Sequence, residues 1–295
     1  MEGCKVRKDS LQDRRLYRYS EDGSLTYSGA GDSMKLLPST ALLPLPPWDS
    51  LQLLAERGFN SVELNFYNLH LAGVDPYSMY GFYVRSFMAA AEAGVRVESV
   101  HLPWERYLAA FMGAGIERVA RELALLIDLA AGYGVRSAVL HPLPAWVTGR
   151  GRVSWANRRL LTLLAREAAE KDVIIYVENL VEGEPWDSLA SVAALVGDVD
   201  GVGLCIDVGH ANVRGDDPAG LELRGPLCLH VHDNSGVRDE HLPPGCGGVD
   251  WEKWRRVAKL AGFVVVEAHC SLAPRLCLQR VAPALAAAGS LLGAG

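Results

Sequence analysis

The stretch Val-Ile-Ile-Tyr-Val-Glu at positions 173–178 is a short run of β-branched and aromatic residues that ends in a carboxylate. A run without polar alternation is typical of a strand that is covered on both faces. Strands of this kind belong to parallel sheets, whose connections are usually helices. The stretch therefore predicts a central strand of a parallel α/β sheet, with Glu178 at its carboxyl end.

The same unit repeats outward from this strand, as a short apolar run followed by an amphipathic segment that closes on glycine or a polar turn. Apolar residues at spacings of three and four predict helices at 48–57, 116–131, 154–170 and 251–261. Eight strand–helix units predict a single-domain (β/α)8 TIM barrel, which typically takes ~250 residues. The predicted strands are 35–42, 61–66, 96–101, 136–141, 173–178, 201–207, 226–232 and 263–267.

Residues 1–33 form a separate segment that is polar, short of aliphatic residues and without periodicity. We expect 1–33 to be a loosely ordered N-terminal extension and 34–295 to form the barrel. Apolar patterning begins at Met34, so Met1 and Met34 are alternative natural starts.

Composition argues against several classes of protein. No apolar run reaches the ~18 residues of a membrane span, and the charged N-terminus does not resemble a secretory leader, so we expect a cytoplasmic protein. The six cysteines lack C-x-x-C spacing, which argues against disulfides and a zinc ribbon. The net charge is −6 and no basic cluster is present, so nucleic acid is not favoured as a partner.

Residues capable of metal binding or acid–base chemistry collect at the ends of the predicted strands. Such ends converge on one face of a barrel, where barrel enzymes place their active sites. The set comprises all eight histidines and six carboxylates: His70, His101, His141, His210, His230, His232, His241, His269, Glu63, Glu178, Asp207, Asp233, Asp239 and Glu267.

Carboxylates gathered in a water-poor funnel repel one another unless a cation compensates them. Glu178 and Glu267 are the clearest cases, because an unpaired buried charge after a β-branched run costs on the order of several kcal/mol. Any single histidine fits equally well as a hydrogen-bonded core residue. The combined pattern predicts a site for divalent metal, and mixed imidazole and carboxylate ligands suit Zn, Mn, Fe or Co.

From about Met34 to the C-terminus the sequence resembles the xylose isomerase-like TIM barrel superfamily. That superfamily includes sugar and sugar-phosphate isomerases and epimerases, and also abasic-site nucleases of the endonuclease IV type. Strand seven offers His230 or His232 as a ligand, and His230 is preferred because Asp233 follows it at the family's spacing. The residues that match the shared metal set are Glu178 in Val-Glu-Asn, Asp207 in Cys-Ile-Asp-Val-Gly-His, His230, and Glu267 in Val-Val-Glu.

The endonuclease IV type uses nine ligands for three zinc ions, and this resemblance implies five further ligands, His101, His141, His210, Asp239 and His241. The loops differ, since Leu-Val-Glu-Gly-Glu at 180–184 replaces that family's Thr-Ala-Gly-x-Gly turn, and Gly209 replaces the cysteine of its Cys-His pair. His-Leu-Pro-Trp at 101–104 and the segment 239–251 look like the sugar isomerase/epimerase-like branch. We expect one to three divalent ions, with Zn or Mn preferred.

The sugar branch implies a metal-dependent isomerase or epimerase that acts on a sugar or sugar phosphate through a metal-stabilised enediolate. Glu178 and Glu267 would exchange the proton, and His210 would bond a substrate hydroxyl. Trp104 walls the pocket or packs helix against loop, and Arg150 binds an anion or is a solvated loop residue. The expected substrate-binding residues are Trp104, His232, Glu63 and Arg150.

The alternative function is a zinc-dependent abasic-site endonuclease, in which clustered ions activate water and hold a phosphodiester. That function needs several lysines or arginines on the top face of the barrel, and the acidic composition argues against them. A third interpretation is a non-enzymatic barrel that keeps the metal ligands but serves as a binding or scaffold protein. Related barrels form homodimers, and the sequence carries no feature that decides assembly.

Overall fold

The computed structural model describes residues 17–19, 25–27, 34–181 and 183–293. From the second barrel strand to the eighth, each pairs in parallel with the next along the chain, and the eighth pairs with the first. A parallel bridge between Ser39 and Glu63 joins the first strand to the second, so the barrel is nearly closed and the predicted TIM fold is confirmed. The strands are β1 (Leu36–Pro38), β2 (Ser61–Leu64), β3 (Arg96–His101), β4 (Ser137–Leu140), β5 (Ile174–Glu178), β6 (Val202–Asp207), β7 (Leu227–Val231) and β8 (Phe263–Val266).

Helices surround the barrel and fill the loops at its rim. Three predicted helices correspond to α1, α5 and α7, whereas 251–261 contains a 3-10 turn (Trp251–Trp254) and one short α-helix. The helices are α1 (Pro47–Glu56), α2 (Phe66–Leu71), α3 (Met79–Ala93), α4 (Glu105–Leu108), α5 (Ile116–Gly132), α6 (Ala145–Thr148), α7 (Val153–Ala169), α8 (Leu189–Gly197), α9 (Val208–Arg214), α10 (Arg255–Ala258) and α11 (Pro274–Leu291).

The first two strands are shorter than predicted because polar side chains at their ends bond the local backbone. Ser39 Oγ accepts a hydrogen bond from the Ala41 amide (3.2 Å), and the chain turns into a 3-10 helix (Thr40–Leu42). Asn65 Oδ1 accepts from the Tyr67 amide (2.9 Å) and so caps α2. Bonds of this kind compete with the strand ladder and end it.

The barrel interior is filled by a cluster of buried residues that includes Tyr176, Cys205, Cys228 and Val265. Residues two apart on a strand point to the same face. The residue two positions after each of these four therefore also points into the barrel, one layer closer to the carboxyl ends of the strands. Those later residues are Glu178, Asp207, His230 and Glu267.

The N-terminal segment is described only at two short strands, Tyr17–Tyr19 and Leu25–Tyr27, which pair antiparallel. The predicted loose extension otherwise lies outside the described residues. The expectation that disulfides are absent is wrong, because Cys270 and Cys277 are bonded to each other. Their Cα atoms lie 5.7 Å apart, since α11 begins at Pro274 and its first turn brings Cys277 back beside Cys270. None of the helices in the described ranges combines the length and apolarity needed to cross a membrane.

Candidate active site

The four residues matched to the shared metal set meet at the carboxyl end of the barrel. His230 Nδ1 lies 2.9 Å from Glu267 Oε2 and 3.2 Å from Glu178 Oε2. One ligand atom from each of Glu178, Asp207, His230 and Glu267 lies within 4.8 Å of all the others. All four are buried, none being more than 6% exposed. The structure thus brings the predicted set together, and their role as ligands stays a prediction.

Three atoms of this group make no hydrogen bond although they are buried: Glu178 Oε2, Asp207 Oδ2 and His230 Nδ1. A buried polar atom without a partner typically costs ~1–3 kcal/mol. A divalent cation among the three would give each of them a partner. The mixture of carboxylate oxygens and an imidazole nitrogen suits Zn or Mn, so the residues present fit the expected metal.

Five histidines around the group each have one ring nitrogen fixed by an acceptor. A carbonyl or a carboxylate can only accept, so the nitrogen facing it must donate. Metal-binding histidines typically donate their second nitrogen in this way, which orients the ring and fixes the tautomer. The pairs are His101 Nδ1 with the Leu102 carbonyl (2.8 Å), His141 Nδ1 with Glu105 Oε2 (3.1 Å), His210 Nδ1 with the Asn179 carbonyl (2.8 Å), His230 Nε2 with Glu63 Oε2 (3.2 Å) and His241 Nδ1 with the Glu267 carbonyl (2.8 Å).

The remaining nitrogens of the same rings face carboxylates. His101 Nε2 lies 3.3 Å from Glu178 Oε2, and His241 Nε2 lies 3.0 Å from Asp239 Oδ2. Two further groups with metal-binding geometry result: His101, Glu178 and His230, and His210, His232, Asp239 and His241. His141 lies at the edge, with Nε2 3.9 Å from Glu178 Oε1. The arrangement offers adjoining positions for more than one cation.

Two members of the group His210, His232, Asp239 and His241 lie in a loop that is held by hydrogen bonds to Asp233. The buried carboxylate of Asp233 accepts hydrogen bonds from the amides of Asn234 (2.9 Å), Gly245 (2.9 Å) and Val249 (3.0 Å), and from Trp251 Nε1 (3.3 Å). A Cβ on Gly247 would come within 2.3 Å of Asp233 Oδ1, so the close approach of the loop requires glycine there. Asp239 and His241 lie within the loop that these bonds fold.

In the protein without metal, protons compensate the carboxylates. Burial acts to raise the pKa of Glu178, but His230, His101 and His141 outweigh it and hold that pKa well below its usual range. Burial acts to lower the pKa of His230, but electrostatic interactions with Cys205, Glu63, Glu178 and Glu267 hold that pKa well above normal. Without metal, protonated imidazoles therefore neutralise the facing carboxylates. A bound cation would take over that role.

A cavity of about 400 Å³ opens above the metal-binding groups. Trp104, predicted to wall the pocket, lines it, as does His210. Its lining comprises Tyr67, His101, Trp104, Glu105, Arg106, His141, Glu178, His210, Asp239, His241, Glu267 and His269.

Three residues expected to bind substrate lie elsewhere. Glu63 and His232 are fully buried and do not line the cavity. Glu63 accepts a hydrogen bond from Ser99 Oγ (2.9 Å), and His232 Nε2 lies 3.0 Å from Asp207 Oδ1, so both lie within the network around the ligands. Arg150 is exposed on the turn after α6 and also does not line the cavity. His70 lies within α2, where its Nδ1 is 2.7 Å from Tyr107 Oη.

Two residues of the site, Asn65 and Glu105, were missed from sequence, and His269 was identified only as one of the histidines near strand ends. Asn65 donates a short hydrogen bond to Glu267, and Glu105 orients His141. The ring of His269 is stacked between Tyr67 and His241, with centroids 4.1 and 4.0 Å away. Each of these residues follows β2, β3 or β8 by a few positions. Their place just after a strand end was therefore the only sequence feature that pointed to the site.

Comparison with known proteins shows the family of the chain. A family model described as a xylose isomerase-like TIM barrel matches residues 51–288. The chain belongs to the xylose isomerase-like TIM barrel family. An uncharacterized protein of Sinorhizobium fredii is 31% identical over 165 residues, which are 52% of this chain and 49% of that protein. The chain thus spans about half the length of that relative.

Solved structures of the family share the barrel. A D-tagatose 3-epimerase-like protein superposes with a TM-score of 0.66 at 20% identity, covering 85% of this chain and 97% of its own. The 3-keto-D-glucoside 4-epimerase YcjR of E. coli superposes with a TM-score of 0.61 at 18% identity, covering 85% and 98%. At this identity the likeness establishes the fold.

Proposed function

We propose that this xylose isomerase-like barrel is a divalent-metal-dependent sugar or sugar-phosphate isomerase or epimerase. The observation that carries the proposal is that Glu178, from β5, and Glu267, from β8, both reach Nδ1 of His230. Two carboxylates from distant strands thus flank one position below an open cavity. The epimerases among the structural neighbours support a sugar substrate.

Glu178, Asp207, His230 and Glu267 would hold the ion. A divalent ion there supplies a Lewis acid that polarises the neighbouring carbonyl and hydroxyl oxygens of a ketose. Glu178 and Glu267 have pKa values held below their usual range, because nearby imidazoles outweigh the effect of burial, so both are ionised and able to accept a proton. One carboxylate removes the carbon-bound proton. The other takes up a proton from solvent and donates it to the opposite face or to the adjacent carbon, and the first then releases its proton to solvent.

His210 and Trp104 shape the space in which the sugar lies. His210 Nδ1 is committed to the Asn179 carbonyl, which directs Nε2 towards Asp239 Oδ2 (3.5 Å) and the cavity. That nitrogen is placed to bond a substrate hydroxyl. The indole of Trp104 packs edge-on against Phe66, with centroids 5.3 Å apart, and presents an apolar wall suited to the C–H face of a sugar.

The test is carbon-bound deuterium. Metal-loaded protein is incubated with a panel of ketoses in deuterated water, and deuterium at sugar carbons is measured by mass spectrometry. We expect incorporation by the wild type and its loss in Glu178→Gln and Glu267→Gln. The matched control is Glu98→Gln, whose carboxylate pairs with Lys35 just before β1 (2.9 Å) and does not line the cavity, so exchange should be unchanged. Exchange that survives both active-site variants would refute the proposal.

The second candidate is metal-dependent phosphodiester hydrolysis at abasic sites, favoured by the three adjoining metal-binding groups. Clustered ions suit in-line displacement at phosphate. Duplex DNA carrying one abasic site, incubated with metal-loaded protein, distinguishes the two functions. Cleavage that Glu178→Gln abolishes would displace the isomerase proposal, and elemental analysis showing three ions per chain would accompany it.

A further inference from the structure

Arg106 has a distinctive position in the cavity. Among the described residues, no other lysine or arginine lines it. Arg106 follows Trp104 and Glu105 in the first turn of α4. Its guanidinium carbon lies 4.7 Å from the centroid of the Trp104 ring and 5.5 Å from that of Tyr107. Cation–π contacts at exposed sites contribute roughly 0.5–1 kcal/mol, so the two rings favour one placement of this cation at the cavity mouth.

The guanidinium of Arg106 keeps its hydrogen-bonding capacity for a ligand. Within the part of the chain that the structure describes, it makes neither an ion pair nor a hydrogen bond. Its neighbour Glu105 would be the nearest acidic partner in sequence, but that carboxylate accepts the His141 Nδ1–H bond (3.1 Å). Five N–H donors in a planar fork therefore remain available at the cavity.

The cavity lining combines buried carboxylates with an exposed cation, and its other two carboxylates, Glu105 and Asp239, are paired with histidines. Its floor carries Glu178 and Glu267, beside metal-binding groups that suit the oxygens of a sugar. At the mouth, the exposed guanidinium of Arg106 presents a planar set of N–H donors. Paired donors of this kind match the oxygens of a phosphate or a carboxylate, whereas a neutral hydroxyl needs fewer of them. An anionic group held there would lie away from the floor carboxylates, which repel it.

We infer that the substrate carries an anionic group, a phosphate ester or a carboxylate, at the end remote from the metal-binding groups, and that Arg106 binds it. This inference rests on the proposed sugar isomerase or epimerase function and names its substrate class. It also assigns to Arg106 the anion-binding role expected from sequence for Arg150, which is exposed outside the cavity.

Three ligands with the same carbon skeleton test the inference: D-fructose, D-fructose 6-phosphate and D-fructuronate, which carry a hydroxyl, a phosphate and a carboxylate at carbon six. Dissociation constants are measured by titration calorimetry with metal-loaded protein at fixed ionic strength. We expect one anionic ligand to bind at least ~10-fold more tightly than D-fructose, in line with a charge-assisted hydrogen-bond pair. The preferred ligand tells phosphate from carboxylate.

Arg106→Ala should abolish that preference and leave D-fructose affinity within about twofold, whereas Arg106→Lys should keep part of it. Arg150→Ala removes an equal charge outside the cavity and should leave all three affinities unchanged. Equal affinities in the wild type, no binding of either anionic ligand, or a preference that survives in Arg106→Ala would overturn the inference.

Deuterium exchange separates this inference from the proposed function. A preference for the anionic ligand that depends on Arg106, without exchange on any ketose, would uphold the anion site and refute the isomerase. Exchange with neutral ketoses, without a preference for anionic ligands, would support the isomerase or epimerase and refute the anion site.

Discussion

His230 Nε2 lies 3.2 Å from Oε2 of Glu63, and both side chains are fully buried at 0% exposure. Since Glu63 also accepts a bond from Ser99 Oγ, its carboxylate is held in place and fixes the proton of His230 on Nε2. The other nitrogen, Nδ1, faces Glu178 and Glu267, and it would offer its lone pair to a cation bound between them. Glu63, which was expected to bind substrate, thus contacts His230 on the side opposite Glu178 and Glu267 and is placed to orient its ring.

The first prediction concerns that support. Glu63→Gln should weaken metal binding by ~10–100-fold, the usual cost of losing a carboxylate behind a metal-bound histidine. Competition with a chelator of known affinity measures the effect. Glu98→Gln, in the adjacent β3 and paired with Lys35, is the control and should bind metal like the wild type. Unchanged affinity in Glu63→Gln would show that Glu63 does not orient His230.

The second prediction is a pH dependence of the metal-free protein. Burial acts to lower the pKa of His241, but its bond to Asp239 outweighs burial and raises the pKa from 6.5 to about 9. A pKa raised on folding stabilises the fold fully below the unfolded value of 6.5, and this contribution is lost as pH rises through about 9. The unfolding temperature of chelator-treated protein should therefore fall between pH 6.5 and 9.5, as followed by circular dichroism.

His241→Asn should flatten that alkaline decline, because the residue that loses the proton is gone. Saturation with Zn should flatten it as well, since the ion takes the place of protons on the imidazoles. A decline of the same steepness in all three samples would contradict the assignment to His241.

The third prediction concerns the loop that carries Asp239 and His241. Asp233→Ala removes the acceptor of four N–H groups and should lower the free energy of unfolding by roughly 3–5 kcal/mol. The loop 234–250 should then be cut first in limited proteolysis. Asp250→Ala is the control, because Asp250 is exposed and makes no capping bond to the turn it precedes. Resistance of the loop in Asp233→Ala would contradict the role of Asp233.

The barrel and the meeting of Glu178, Asp207, His230 and Glu267 could be predicted because strand periodicity alone fixes which residues point inward. Side-chain hydrogen bonds to the backbone, such as those of Ser39 and Asn65, ended strands early, and no periodic pattern reports them. The role of Glu63 depends on a contact with His230, 167 positions away in sequence. That Arg106 lines the cavity and Arg150 does not could not be predicted, because the paths of the loops decide which arginine reaches it.

The last prediction tests the packing beneath the site. A Cβ on Gly203 would lie 2.7 Å from Tyr176 Cδ1 and 2.8 Å from the Pro226 carbonyl oxygen. The second neighbour is backbone of the adjoining strand connection and cannot swing away as a side chain does. Gly203→Ala should therefore displace Tyr176, overpack the barrel interior and cost ~1–3 kcal/mol of unfolding free energy, measured by urea denaturation.

The matched control is Gly81→Ala in α3, where an added Cβ meets nothing within 4 Å and the backbone is helical. Alanine is a better helix former than glycine by up to ~1 kcal/mol, so this variant should be as stable as the wild type or slightly more stable. Because Tyr176 precedes Glu178 by two residues on the same inward face of β5, the Gly203 variant should also bind metal more weakly. Equal stability and metal affinity in the two variants would show that the ring of Tyr176 does not support the floor of the site.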